Sequence, residues 1–206
     1  DNYYFASKGG TSVVQFVVNN KAYSFDQFDL LFNRPDIVLQ RLGRAPKEII
    51  AAYKAAYIKR LRKMGFDQVR IDQFVSGSFN KNIQTPEVII PDEIRNLGII
   101  ESKMLSFEAK ASDPGGVSIE RIHLVVNGVP IYGAKGKFVK EPKSRIIIPI
   151  KNLELSNGFN TIELSVQNAN GILSLAEKVN LKYIGQPSVT NTYIVSIGIS
   201  AYRANN

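Results

Sequence analysis

The chain has 206 residues, of which 44% are hydrophobic, with no cysteine, one histidine and a formal net charge of +8. That length holds one large domain or two small ones, each with a real core. Without cysteine there is no disulfide, no thiolate metal ligand and no cysteine nucleophile in these residues, and one histidine leaves little material for zinc. No run approaches the roughly 18 apolar residues of a membrane span. Asp1 opens no basic-then-apolar leader, so any export signal lies upstream or does not exist. The compartment stays open, because a cysteine-free chain survives in either redox environment. Residues 1–85 hold thirteen Lys and Arg against seven Asp and Glu, and residues 86–206 thirteen against eleven. An electrostatic partner is therefore sought on the first part.

Tyr3 to Ser7 and Val13 to Val18 are aromatic and β-branched runs that predict a hairpin about Lys8-Gly9-Gly10-Thr11. Ser24-Phe25-Asp26-Gln27 has the form of a capping box and predicts a short helix through Phe28, Leu31 and Phe32. Pro35 at a first helical position and Gly43 as a stop bracket a second helix, with Ile37, Val38 and Leu42 as its apolar stripe. The strongest helix runs from Pro46 to about Met64 and is stopped by Gly65. Its Ile49, Ile50, Tyr53, Ala56, Tyr57, Leu61 and Met64 fall in one apolar arc. Phe66, Val69, Ile71 and Phe74 suggest a further short helix, and Ser76 to Asn82 a linker. The domain boundary falls near residue 85.

From Pro86 to Ile184 the period changes to two. Glu87-Val88-Ile89-Ile90, flanked by prolines, suits an edge strand. Leu105, Phe107 and Ala109 alternate with polar residues, as do Ile122, Leu124 and Val126, and then Ile162, Leu164 and Val166. Asp113-Pro114-Gly115-Gly116 turns the chain, and Asn127-Gly128 and Asn170-Gly171 offer the positive φ angles of tight hairpins. Ser144 to Leu155 supplies a further strand around Arg145-Ile146-Ile147-Ile148. About seven strands at this spacing fit an immunoglobulin-like sandwich. The fold class is thus α+β: an N-terminal hairpin and helices in residues 1–85, an Ig-like antiparallel β-sandwich in 86–184, and a linker with one more strand in 185–206.

Four stretches carry a resemblance. Thr192 to Tyr202, TYIVSIGISAY, resembles the opening strand of bacterial caspase-like cysteine peptidases, where an apolar strand leads into an Ile-Gly-x-Ser-x-Tyr turn. Ser24 to Gly43 and Tyr53 to Phe66 resemble the segment that joins a WD-repeat β-propeller to such a peptidase, and Tyr3 to Ser7 resembles the end of that propeller. The resemblance implies an accessory region of a multidomain bacterial protein, with the sandwich just before a truncated peptidase domain. That family's catalytic histidine and cysteine lie downstream of the opening strand, so no catalytic residue is carried over.

The residues by themselves assemble no catalytic, cofactor-binding or metal constellation. His123 stands among apolar neighbours on a strand and reads as structural or solvated. Asp26 and Asp29 read as helix-start acids favoured by the dipole rather than a carboxylate pair. Asp113 belongs to a turn and lacks the spaced acids of a calcium loop. Lys59, Arg60, Arg62 and Lys63, at the end of the strongest helix, are the candidate interaction surface. Positive charge wraps that helix instead of striping it, which places nucleic acid behind other partners. The sequence therefore points to a non-enzymatic module without a cofactor, in contact with other domains of the same protein or with another protein. An independent Ig-like adhesion or ligand-binding module is the alternative.

Overall fold

The computed structural model describes residues 3–6, 9–12, 15–18, 20–78, 84–185 and 194–196, with the backbone alone for Ser12 and Asp26. The first strands are β1 (Gln15–Val18) and β2 (Lys21–Ser24), an antiparallel hairpin in which Phe16 faces Tyr23. This corrects the expected pairing of Tyr3–Ser7 with Val13–Val18. Asn20 adopts φ +60 and turns the chain one step later, while Gly10–Ser12 forms a 3-10 turn. Tyr4 instead bridges in parallel to Asn33, with its amide donating to the Phe32 carbonyl.

A 3-10 turn at Phe25–Gln27 leads into α1 (Asp29–Phe32). Half of the capping box is present, because the Ser24 amide donates to Gln27 Oε1 at 3.1 Å. Helix α2 (Pro35–Leu42) starts on Pro35 and ends at Gly43, which takes φ +65. Helix α3 (Lys47–Lys63) and helix α4 (Gln68–Ser76) follow, the latter capped by Asp67, whose carboxylate accepts from the Arg70 amide. Phe28, Leu30, Leu31, Phe32, Tyr57, Leu61, Ile71 and Phe74 make the buried core of this region. The expected apolar arc of α3 is only partly covered: Tyr57 and Leu61 are buried, but Ile49 is 46% and Tyr53 36% exposed. Seventeen helical residues extend about 25 Å, further than the short helices beside them.

The sandwich has two sheets. One is β3 (Glu87–Ile89), β5 (Met104–Ser112) and β9 (Arg145–Glu154), in that order and antiparallel. The other runs β4 (Ile99–Ile100), β11 (Glu177–Tyr183), β10 (Gly158–Asn168), β6 (Ile119–Val126) and β7 (Val129–Pro130), with β8 (Lys137–Phe138) also paired to β6. A short helix, α5 (Asp92–Arg95), precedes β4. The chain changes sheet from β3 to β4, β4 to β5, β5 to β6, β8 to β9 and β9 to β10, as in an Ig-like sandwich, while β6–β8 and β10–β11 each stay within one sheet, and β4 runs parallel to the last strand. The alternation seen in sequence is realised: Leu105, Phe107, Ala109, Ile122, Leu124, Val126, Ile162, Leu164 and Val166 all enter one core. At Asn127-Gly128 both residues take positive φ, and β6 returns directly into β7.

Asn170-Gly171 turns the chain back as expected, with Gln167 bridging antiparallel to Leu173 and the Ser174 amide donating to the Val166 carbonyl at 2.8 Å, but its geometry is not that of a regular two-residue hairpin. Gly171 has φ +76 but Asn170 is not left-handed, and the next strand waits until Glu177. Asn168 Oδ1 accepts from the amides of Asn170 and Ile172, at 3.1 and 2.9 Å, inside the turn. Ile172 at its tip is buried in the helical region's core.

Residues 79–83 of the expected linker, and Thr192, Tyr193 and residues 197–206 of the caspase-like stretch, lie outside the described residues. Ile194 and Val195 are 88% and 84% exposed, so these two are not seated in a core of this chain.

Candidate functional site

The four basic residues at the end of α3 separate in space. Lys59, Arg62 and Lys63 are exposed, whereas Arg60 is half-buried, ion-paired to the Asp29 carboxylate and 5.4 Å from the Tyr57 ring. Asp29 is further engaged by Asn33 Nδ2 at 2.6 Å, and Asp26's side chain lies outside the described set. Tyr57 donates its hydroxyl to the Leu30 carbonyl at 2.8 Å, and burial pushes its phenol up to about 12. This is helix anchoring, with three cations left facing water.

Asp113 is a buried turn residue, as its spacing implied. It accepts from the amides of Gly115 and Val117 and from Asn168 Nδ2. His123 sits half-buried on β6 beneath Gly136, with Nε2 unpartnered among the described residues. Burial, and then the charge of Arg121, hold its imidazole below the usual histidine range. Among the described residues no three His, Asp or Glu side chains gather as a metal site.

The densest functional-looking arrangement lies where the helical region meets the sandwich. Arg70 on α4 clamps Glu120, at 2.5 and 3.3 Å, and donates to the Ala169 carbonyl. Gln27 Nε2 donates to the carbonyls of Leu173 and Ser174, and the hydroxyls of Tyr23 and Thr85 meet at 2.6 Å. Next to the Arg70 clamp is a cleft of about 240 Å³ between the α3–α4 turn and β8. Arg121 lines it from β6, directly opposite Phe138 in the strand register. Gly65, at φ +83, lets the turn pass so close that a Cβ there would stand 3.9 Å from Arg121 Nη2.

Sequence reasoning did not single out Arg121. Its alternation with Ile122 places it on the wet face of β6, and its cover comes from Phe66, far away in sequence. No local pattern signals that contact.

No family model matches the chain, and no curated protein matches it. Solved structures do show similarity. The fibronectin(III)-like modules of Clostridium thermocellum CbhA share 19% identity over 55% of this chain, with a TM-score of 0.38. That match takes in 55% of the CbhA chain, so this protein spans little more than half its length. The PKD domain of an M14-like peptidase from a Thermoplasmatales archaeon matches at 11% identity and a TM-score of 0.34, over 48% of this chain and 93% of its own. The SrpA adhesin of Streptococcus sanguinis matches at 16% identity and 0.33, over 52% and 61% of the two chains. The Ig-like architecture rests on the strand order and register described above, and these likenesses carry nothing about function.

Proposed function

We propose that this chain is a non-catalytic interaction module that holds the segments at its two ends in a fixed relation. The observation that carries this reading is the junction. Ile172 of the sandwich is buried in the helical core, and Arg70–Glu120, Gln27 and Tyr23–Thr85 bridge the same seam. Inter-domain seams move by default unless they are large and apolar; here one region contributes a core residue to the other. Lys21–Glu87 closes the seam at its margin, at 2.8 Å.

The partner we assign is a caspase-like peptidase domain reached through the stretch after Ile184. Two features support it: the TYIVSIGISAY resemblance, and the solvent exposure of Ile194 and Val195, apolar side chains that gain by entering another domain's sheet. Spin labels on Lys54 and Lys151 test the positioning role. One narrow distance distribution is expected, and a broad one overturns it. Reading the gene past codon 206 tests the partner. A histidine and then a cysteine in peptidase context are expected; an immediate stop removes the peptidase and leaves the positioning module.

A further inference from the structure

Among the described residues two arginines are deeply buried, Arg34 and Arg121, each 2% exposed, and their surroundings differ. Arg34 has a full set of partners. It meets Asp36 with two bonds of 2.9 and 2.8 Å, donates to the Phe74 carbonyl at 3.0 Å, and lies 4.4 Å from the Tyr57 ring. Arg121 has only rings: Phe66 at 5.0 Å and Phe138 at 4.6 Å. Among the described residues no carbonyl or carboxylate accepts a hydrogen bond from its guanidinium. Burial accordingly pushes that group below its ordinary value, with Glu120 opposing the shift and Arg70 adding to it.

Taking a cation out of water without an acceptor is costly, and buried charges in native proteins are paired. Aromatic rings answer part of the charge but none of the five N–H donors. The guanidinium is also not sealed in, because it lines the cleft beside the α3–α4 turn. The two carboxylates of that cleft are already engaged: Glu120 by Arg70, and Asp67 by the Arg70 amide it caps.

We propose that the cleft binds a carboxylate, held by the planar fork of Arg121 with Phe66 and Phe138 against the carrier. With Glu120 and Asp67 engaged by Arg70, the single charge of Arg121 is the one left without an anionic partner, which suits a singly charged carboxylate. A phosphate dianion would be repelled by Asp67 and Glu120. The cleft falls below the roughly 300–1,000 Å³ of sites for drug-sized ligands, so the occupant is small. It is an acidic side chain of a peptide segment or a free short-chain carboxylic acid. This inference is independent of the positioning role, and either stands if the other fails.

The test is a titration of the full chain, labelled with 15N-arginine, followed at the side-chain Nε–H resonance of Arg121. Sodium acetate, an acetylated and amidated Gly-Glu-Gly peptide and its Gly-Gln-Gly counterpart are compared with sodium chloride at matched ionic strength. Saturable shifts are expected with acetate and the acidic peptide, and none with the glutamine peptide or chloride. Half-saturation by the peptide about tenfold or more below that of acetate assigns the site to a peptide side chain; equal or weaker binding assigns it to a free acid. Arg121→Lys keeps the charge but loses the fork; followed by the acetate-dependent rise in Tm, since it has no Nε–H signal at this position, it is expected to need about tenfold more acetate for the same stabilisation. Arg121→Met removes the buried charge; it is expected to raise Tm without ligand and to abolish the stabilisation by acetate. Absence of a saturable shift in the unmodified chain, or a response unchanged in Arg121→Lys, overturns the proposal.

Discussion

Leu30 of α1 and Gly171 of the β10–β11 loop are packed so closely that a Cβ on Gly171 would lie 2.6 Å from Leu30 Cδ1. The glycine also stands at φ +76, a conformation that side chains resist. Gly171→Ala is therefore expected to destabilise the chain by about 1–3 kcal/mol, through overpacking and backbone strain together. Leu30→Ala in the same chain removes the clash but not the strain. The double mutant should be more stable than the sum of the two losses implies, which urea unfolding of the four chains measures.

Asp36 is the acceptor that makes the burial of Arg34 tolerable. Burial works to lower the Arg34 guanidinium, and the Asp36 hydrogen bond and charge outweigh it, leaving the group above its ordinary value. Removing the acceptor strands the cation, so Asp36→Ala is expected to cost about 3–5 kcal/mol in denaturant unfolding. A loss below about 1 kcal/mol would mean that water reaches Arg34.

His123 gives the chain a directional response to acid. Its folded-state value is depressed, so near neutrality it is uncharged in the folded chain. The unfolded chain binds a proton at about pH 6.5. Below that pH the unfolded state takes up more protons than the folded one, and stability falls until the folded-state value is passed. His123→Phe should flatten this part of the stability-versus-pH curve. A curve that keeps the same slope between pH 7 and 5 would place the response elsewhere.

The basic cluster at the end of α3 separates into two classes of mutant. Arg60→Ala unpairs Asp29 and is expected to cost about 1 kcal/mol, discounted for partial exposure. Lys59→Ala, Arg62→Ala and Lys63→Ala should leave Tm unchanged. If these three residues form an interaction surface, their combined replacement lowers the salt needed to elute the chain from heparin, with no effect on unfolding.

The legibility of this fold differs between its halves, for a physical reason. The sandwich could be read because period-two alternation is a local record of a two-faced environment: Leu105, Phe107 and Ala109 face one core, as do Ile162, Leu164 and Val166. Asn127-Gly128 was legible because the turn depends on its own two residues. Asn170-Gly171 was legible as a turn but not in its geometry, since Asn168 captures the loop and Ile172 is drawn to a core made by the distant segment from Tyr23 to Phe74. The N-terminal hairpin was misplaced because Tyr3–Ser7 and Lys21–Ser24 are both β-capable partners for the run ending at Val18, and Asn20 decides between them. Arg121 was hidden for the same reason as Ile172: its environment is built by a distant segment.

The parallel pairing of β4 with β11 has a mechanical meaning. The amides of Lys182 and Ile184 donate to the carbonyls of Gly98 and Ile100, while the other side of β11 is held by seven residue pairs to β10. A pull applied along the axis of β11 would load both ladders in shear. Bonds loaded that way share the force and fail together, whereas a strand peeled from an edge gives way one bond at a time. A tether leaving from this strand transmits tension into the sandwich as a whole.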